Sequence, residues 1–282
     1  MPASTVDLHL HSTASDGSYP PETVVALAER AGLRVMALTD HDSIAGVAPA
    51  EARAERSGIR VIPGVELSVN EAGFDVHLLA YGFDPADKGL NAALTRYRES
   101  RRERAKKMLS RLKGLGIRIH LDEVEEIACG GALGRPHIAE ALMRGGHVET
   151  FHEAFQRFLG HHAPAYVAKQ TVTLEEAVGV VRDAGGVTAL AHPGTLNRDH
   201  LIAGWARRGL DGIEVWHSKH APPDVARYRA IAEKQGLLMT GGSDFHGERT
   251  PDVSIGGVAV PEGILGPLDE ALRARRPLRS PH

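Results

Sequence analysis

The sequence predicts an α/β barrel interrupted by one helical insertion, and three observations carry that expectation. Apolar, strand-like runs alternate with helical patterns over most of the chain, which implies parallel strands joined by crossover helices. The alternation stops between about residues 85 and 165 and then resumes. Residues able to bind metal arrive in short packets at the ends of the strand-like runs, where barrel enzymes collect their catalytic groups. A chain of 282 residues, 42% hydrophobic and 24% charged, suffices for one barrel and its core.

The first strand is expected at residues 6–10, followed by a helix at 21–31 that opens on Pro21 and closes before Gly32. A strand at 35–39, a helix at 47–57 stopped by Gly58, and strands at 61–65 and 76–81 come next. From 85 to 165 only helical patterns occur, a long one at 90–115 and shorter ones near Asp122, Pro136 and Thr150. Strands at 187–191, 212–216, 237–240 and 255–260 then alternate with helices at 174–184, 201–208 and 224–235. The expected division is a barrel of residues 1–84 and 166–282, with the insertion 85–165 capping its mouth and a loose tail from Arg275.

Composition excludes several classes. A net charge of −3 excludes a globally basic nucleic-acid binder while leaving room for a local basic patch. The single cysteine, Cys129, excludes a disulfide scaffold and a thiolate-rich zinc site. There is no basic, then apolar, leader at the N-terminus and no run of about 18 apolar residues. A cytoplasmic enzyme with no membrane segment and no obligate protein partner is expected. Walker-type Gly-Lys-Ser/Thr, Gly-x-Ser-x-Gly and Cys–His nucleophile motifs are all missing, so the chemistry must rest on the ligand packets and on arginines.

His9 and His11 are two residues apart on a strand, so they share a face and lie roughly 6.6 Å apart, close enough to lean toward one cation beyond the strand end. Asp7 is on that face, and Asp16 follows in a Ser-Asp-Gly turn. Asp244 and His246 repeat the spacing at another strand end. His41 and His192 each follow a buried-strand run, and His77 lies inside one. Glu66 ends a further run, where a buried carboxylate needs a partner and a metal is the best available. Mixed histidine and carboxylate ligands without thiolates suit manganese, zinc or iron. These residues read as a metallohydrolase. His161 with His162 and His217 with His220 read as surface or cleft polar residues, and Gly241-Gly242-Ser243 as a strand end that lets Asp244 approach the metal.

Five segments in order, Asp7-Leu8-His9-Leu10-His11-Ser12, Thr39-Asp40-His41, Pro63-Gly64-Val65-Glu66, Ala191-His192-Pro193 and Gly242-Ser243-Asp244-Phe245-His246, resemble the PHP (polymerase and histidinol phosphatase) family of the amidohydrolase superfamily. The resemblance covers the inferred core, about two hundred residues in all on the two sides of the insertion. It implies a distorted seven-stranded TIM-like (β/α) barrel holding two to three divalent metals, manganese first, with zinc or iron as alternatives. It also implies one metal on His9, His11, Glu66 and Asp244, a second on Asp16, His41 and His246, and a third on Glu66, His77 and His192. The insertion, with its Arg-rich helix and Gly134-Arg135-Pro136-His137-Ile138, resembles the branch of 3′,5′-nucleoside bisphosphate phosphatases, whose relatives include 5′ to 3′ exoribonucleases acting on short RNA.

Independently of that resemblance, Arg96 to Lys113 holds nine Lys or Arg against two acids. Leu94, Tyr97, Met108 and Leu115 trace an apolar stripe on whose missing turns Arg101 and Arg104 fall, with Arg102 beside it. Arg135 and Lys169 flank the rest of the insertion. Guanidinium groups match phosphate oxygens bidentately, so Arg101, Arg102, Arg135 and Lys169 are expected to grip the substrate phosphate that is not cleaved.

The expected activity is removal of the 3′-phosphate from a nucleoside 3′,5′-bisphosphate, such as adenosine 3′,5′-bisphosphate to AMP, by a metal-bridged hydroxide attacking in line. His9, His11, Glu66, His192, Asp244 and His246 are the expected catalytic residues, with leaving-group protonation open between His246, His192 and a metal-bound water. The alternatives are a 5′ to 3′ exoribonuclease on short RNA, a histidinol-phosphate phosphatase, and a non-catalytic metal-stabilised binding module. The expected partner is a small nucleotide or short RNA.

Overall fold

The computed structural model describes residues 4–71, 73–168 and 172–275. Seven strands lie in one sheet in chain order: β1 (Val6–Leu10), β2 (Val35–Leu38), β3 (Arg60–Glu71), β4 (Phe74–Tyr81), β5 (Val187–Leu190), β6 (Gly212–His217) and β7 (Leu238–Gly242). The helices are α1 (Pro21–Arg30), α2 (Val47–Ala54), α3 (Lys88–Gly114), α4 (Leu121–Ala128), α5 (Arg135–Arg144), α6 (Phe151–Ala154, running on as a π-helical turn Phe155–Leu159), α7 (Leu174–Asp183), α8 (Asp199–Arg207), α9 (Pro222–Gln235) and α10 (Leu265–Arg275). Among the described residues no helix is long and apolar enough to cross a membrane.

Two expectations about the strands fail for definite reasons. Pairing is parallel except at β4, which runs antiparallel to both β3 and β5. Only residues 72 and 73 separate β3 from β4, too short a link for a crossover, and Gly73 at φ 84° turns the chain back. Residues 255–260 form no strand: Gly256, at φ 68°, turns the chain, donates its N–H to Asp7 Oδ2 at 2.9 Å and accepts from Ser4. Asp7 also accepts the N–H of Ser243, so its carboxylate ties β1 to the segments after β7 and does not join His9 and His11.

The two edges of the sheet meet and nearly close a barrel. The Asp244 N–H donates to His9 O at 2.9 Å, and the His11 N–H donates to Phe245 O at 3.0 Å. A Cβ on Gly242 would stand 2.4 Å from His9 N, so only glycine lets β7 come this close to β1.

All described helices from α3 to the π-helical turn precede β5, and they build a core of their own. The 27 residues of α3 span roughly 40 Å and serve two cores in succession. Leu90, Ala93, Leu94 and Tyr97 pack with Leu67, Val69, Val76 and Leu78 of the sheet. Ala105, Met108, Leu109 and Leu112 pack with Val124, Ile138 and Leu142 of α4 and α5. The stripe therefore ends at Leu112, whereas Leu115, expected to continue it, is 48% exposed just past the helix end.

Candidate metal centre

The alternation of β1 turns His9 and His11 to one face at its C-terminal end, where both are completely buried. His41 follows β2, His192 follows β5, and Asp244 and His246 follow β7. Glu66 lies within β3, and His77 comes from the reversed strand β4, opposite Ser68. Asp16 enters from the loop after β1. Asp42, His192 and Asp244 adopt left-handed backbone, at φ 49°, 30° and 60°, a conformation that costs a side-chain-bearing residue about 1–3 kcal/mol. Each is held by its own N–H: Asp42 donates to Glu66 O at 3.0 Å, His192 to the Glu214 carboxylate at 2.7 Å, and Asp244 to His9 O at 2.9 Å. The strained turns are thus locked by the very residues they face.

Glu66 is the hub. Its Oε2 lies 3.2 Å from His9 Nε2, 3.1 Å from His11 Nε2 and 3.2 Å from His41 Nδ1, and its Oε1 lies 2.7 Å from His77 Nδ1 and 3.0 Å from His192 Nε2. Asp244 Oδ1 is 3.3 Å from His9 Nε2 and 3.4 Å from His11 Nε2. Donor atoms sharing one ion at about 2.1 Å stand roughly 3 to 3.5 Å apart, which is the spacing in this quartet. His11 Nε2 is buried and makes no well-angled hydrogen bond to either carboxylate, as befits an atom aimed at a common centre and not at a partner. A second group brings His11, Asp16, His41 and His246 within ligand reach, and a third brings His41, Glu66 and His77. His11 thus also stands beside the group that the resemblance assigned to Asp16, His41 and His246. The donor set fits divalent metals.

Electrostatics give the same reading. Burial penalises the charged forms of Asp16, Glu66 and Asp244, but the surrounding histidines outweigh it and hold all three well below the usual carboxylate range. Burial also opposes protonation of His9 and His11, yet Glu214, Asp244 and Glu66 drive His9 well above an ordinary imidazole, and Asp244 and Glu66 push His11 up to about 10. His41 goes the other way, down to about 4, because burial, Arg101 and His11 prevail. A nest of buried carboxylates short of positive charge recruits protons, and a divalent ion would displace them.

The arginines separate into three fates. Arg101 donates to Asp42, to Leu133 O and to Ser68 Oγ, linking α3 to the loop that carries His41. Arg102, one step further around α3 and beside the inward stripe, is 47% exposed and paired with Glu125 of α4, because 100° of helical rotation turns it outward. Arg104 and Arg135 lie over the same Tyr166 ring, at 5.6 and 5.8 Å, and Arg104 Nη2 is 3.9 Å from Asp75. Burial, reinforced by Arg135, lowers Arg104 to about 10. Lys169 lies outside the described residues.

Sequence reasoning missed Glu214 and underrated His217. Both are buried on β6, Glu214 reaching His9 and His192, and His217 Nε2 lying 3.3 Å from Asp244 Oδ2. The signal was present: a carboxylate inside the apolar run Gly212–His217 needs a partner as much as Glu66 does.

Comparison with known proteins places this geometry. The PHP domain family matches over residues 7–176. The chain is 35% identical to the 3′,5′-nucleoside bisphosphate phosphatase of Chromobacterium violaceum, over 96% of this chain and 98% of that protein. It is 33% identical to the 5′-3′ exoribonuclease Rnm of Escherichia coli, over 92% and 91%. A solved Bifidobacterium adolescentis protein, described as a metal-dependent phosphoesterase, superposes with a TM-score of 0.88 at 32% identity, covering 96% of this chain and 97% of that one. With a near-closed seven-stranded sheet and histidine–carboxylate clusters at strand ends, the chain belongs to the PHP domain family and is a metal-dependent hydrolase of phosphate esters.

Proposed function

We propose that this phosphoesterase removes the 3′-phosphate of nucleoside 3′,5′-bisphosphates, with His9, His11, Asp16, His41, Glu66, His77, His192, Asp244 and His246 holding two to three divalent ions, manganese foremost. Bound there, the ions supply Lewis-acid charge for the phosphoryl oxygens and activate water. Glu66 sets the spacing of the cluster through both its oxygens. His246 and His192, each partly open to solvent, stand where a leaving-group oxygen can take a proton.

The observation that carries the substrate reading is a second cationic layer beside the cluster. Asp75 and His77 are two residues apart on β4, so the Asp75 side chain lies roughly 6.6 Å further along the same face. There two guanidinium groups, Arg104 and Arg135, stand against one carboxylate, and Arg104 Nη2 is buried without a well-formed hydrogen bond. A phosphate group on the same nucleotide supplies the missing anion through charge-assisted bonds. Arg101, three residues before Arg104 on α3, and Lys169 belong to the same proposal. Residues 85–165 act as the cap that carries these cations over the mouth. The similarity to a 3′,5′-nucleoside bisphosphate phosphatase over nearly the whole chain supports the choice of substrate.

The similarity to 5′-3′ exoribonucleases favours a second reading, trimming of short RNA held by its terminal phosphate in the same cationic layer. Phosphate release from the metal-loaded protein on adenosine 3′,5′-bisphosphate, AMP, histidinol phosphate and a 5′-phosphorylated trinucleotide tests both. The bisphosphate should turn over fastest and yield AMP. Fast stepwise shortening of the trinucleotide would transfer the assignment to the exoribonuclease, and preference for histidinol phosphate would overturn both.

A further inference from the structure

Glu214 sits on β6 with a fully buried side chain and lies outside the ligand sets proposed for the phosphate chemistry. Its two oxygens serve two different ligand-bearing segments. Oε1 accepts from His9 Nδ1 at 2.9 Å, and Oε2 accepts from the backbone N–H of His192 at 2.7 Å. The opposite nitrogen of His9, Nε2, faces Glu66 and Asp244 at 3.2 and 3.3 Å. The ring therefore stands between Glu214 on one side and the candidate metal position on the other.

We infer that Glu214 is the positioning residue of this centre: it fixes the proton of His9 on Nδ1, so that the Nε2 lone pair points at the metal, and it clamps the left-handed turn at His192. The inference rests on the metal reading above and gives a role to a residue outside its nine proposed ligands, although Glu214 stands within ligand reach of His9 and His217. Both groups facing Glu214 are donors, so the position demands two acceptors, and only a carboxylate offers two on one side chain. A glutamine offers one acceptor and one NH2. With its oxygen on the His192 N–H, its NH2 faces His9 Nδ1, forcing a lone pair there and a proton onto Nε2, which closes the metal position. With the amide reversed, the His192 N–H loses its acceptor and the strained turn its restraint. An apolar residue would fill a buried strand position at less cost than a carboxylate, which must be compensated once taken out of water. Both hydrogen bonds that compensate it go to ligand-bearing residues, His9 and His192, with His217 adding charge nearby. Partners of this kind orient metal-bound imidazoles, and their loss commonly lowers metal affinity about 10- to 100-fold.

The test uses the full-length protein, stripped with chelator and reloaded with zinc alone. Zinc affinity is measured by chelator competition, and the thermal unfolding of each stripped protein is recorded alongside. Glu214→Gln should bind zinc about 10- to 100-fold more weakly per folded molecule, and Glu214→Asp, which keeps two acceptors, should recover part of the loss. Unchanged zinc affinity in Glu214→Gln, with only a lower unfolding temperature, assigns Glu214 a structural role and overturns the inference while leaving the metal reading intact. Should Glu214→Gln fail to fold, the 15N spectrum of zinc-loaded wild-type protein decides. A His9 proton on Nδ1 with metal on Nε2 supports the inference, and the reverse arrangement overturns it. A wild-type protein that takes up no zinc or other divalent ion overturns the metal reading itself, and this inference with it.

Discussion

Arg101 of α3 donates through Nε to the carboxylate of Asp42, the residue next to His41, and both side chains are largely or wholly buried. The pair joins the helical segment to the candidate metal centre. Burial raises the cost of the Asp42 charge, but Arg101, the Ser68 N–H and His41 outweigh it and hold the carboxyl below its usual range. Replacing Arg101 by methionine leaves that charge buried without its partner and should destabilise the protein by about 3–5 kcal/mol in denaturant unfolding. Arg101→Met combined with Asp42→Asn should recover much of the loss. Equal stability of the single variant and the wild type would show that the pair carries little.

A second prediction concerns the metal quartet. His9→Ala with His11→Ala should remove at least one equivalent of metal and almost all turnover, because the two rings approach both Glu66 and Asp244. Metal analysis of the purified variant checks this, and full metal content with full activity would sink the assignment.

Acid–base behaviour should differ between stripped and loaded protein. In the metal-free protein His11 titrates at about 10, against roughly 6.5 when unfolded. A raised value contributes stability that is complete below about 6.5 and is lost as pH rises through about 10. The stripped protein should therefore lose thermal stability between about pH 7 and 10. In the loaded protein these imidazoles are already neutral, so the loss should vanish, and metal uptake near neutral pH should release protons. Scanning calorimetry with a pH indicator measures both, and parallel profiles for the two forms would contradict the expectation.

The arginines can be told apart by substrate. Arg104→Ala or Arg135→Ala should lower kcat/KM for a 3′,5′-bisphosphate roughly ten- to hundredfold, the equivalent of one charge-assisted contact of about 1.5–3 kcal/mol. Activity on p-nitrophenyl phosphate should change little, since that substrate has no second phosphate to grip. Arg102→Ala, whose guanidinium is exposed and paired with Glu125, should leave both substrates nearly unaffected. Equal losses on both substrates for Arg104 and Arg135 would assign them to the fold.

Much of the fold and of the candidate site was legible because strand parity is a short-range property. His9 and His11 must share a face once β1 is a strand, and Asp244 with His246 repeats the pattern after β7. Strand direction was not legible at β4, since a hairpin and a crossover begin alike and only Gly73 hinted at the reversal. Asp7 shares the parity of His9, but its carboxylate is claimed by backbone N–H groups of residues 243 and 256, far away in sequence. Arg102 and Arg104 look equivalent in a charge count; helical phase separates them, and the partners Glu125 and Asp75 come from other elements. Glu214 was passed over because its two hydrogen-bonded groups, on β1 and after β5, meet only in the folded chain.

Because β4 runs backward, the chain leaves it at Tyr81, beside Val187 at the start of β5, on the end of the barrel remote from the metal ligands. From there α3 acts as a rod that carries its later turns up to the mouth, and its angular phase is set where Leu90 and Leu94 bed into the sheet. One residue inserted after Tyr97 would spin Arg101 and Arg104 by about 100° and advance them by about 1.5 Å, while the bedded turns kept their contacts. Such a shift would take Arg104 away from Asp75 and break the Arg101–Asp42 pair at the same stroke, so the cationic layer and the loop that carries His41 answer together to the phase of one continuous axle.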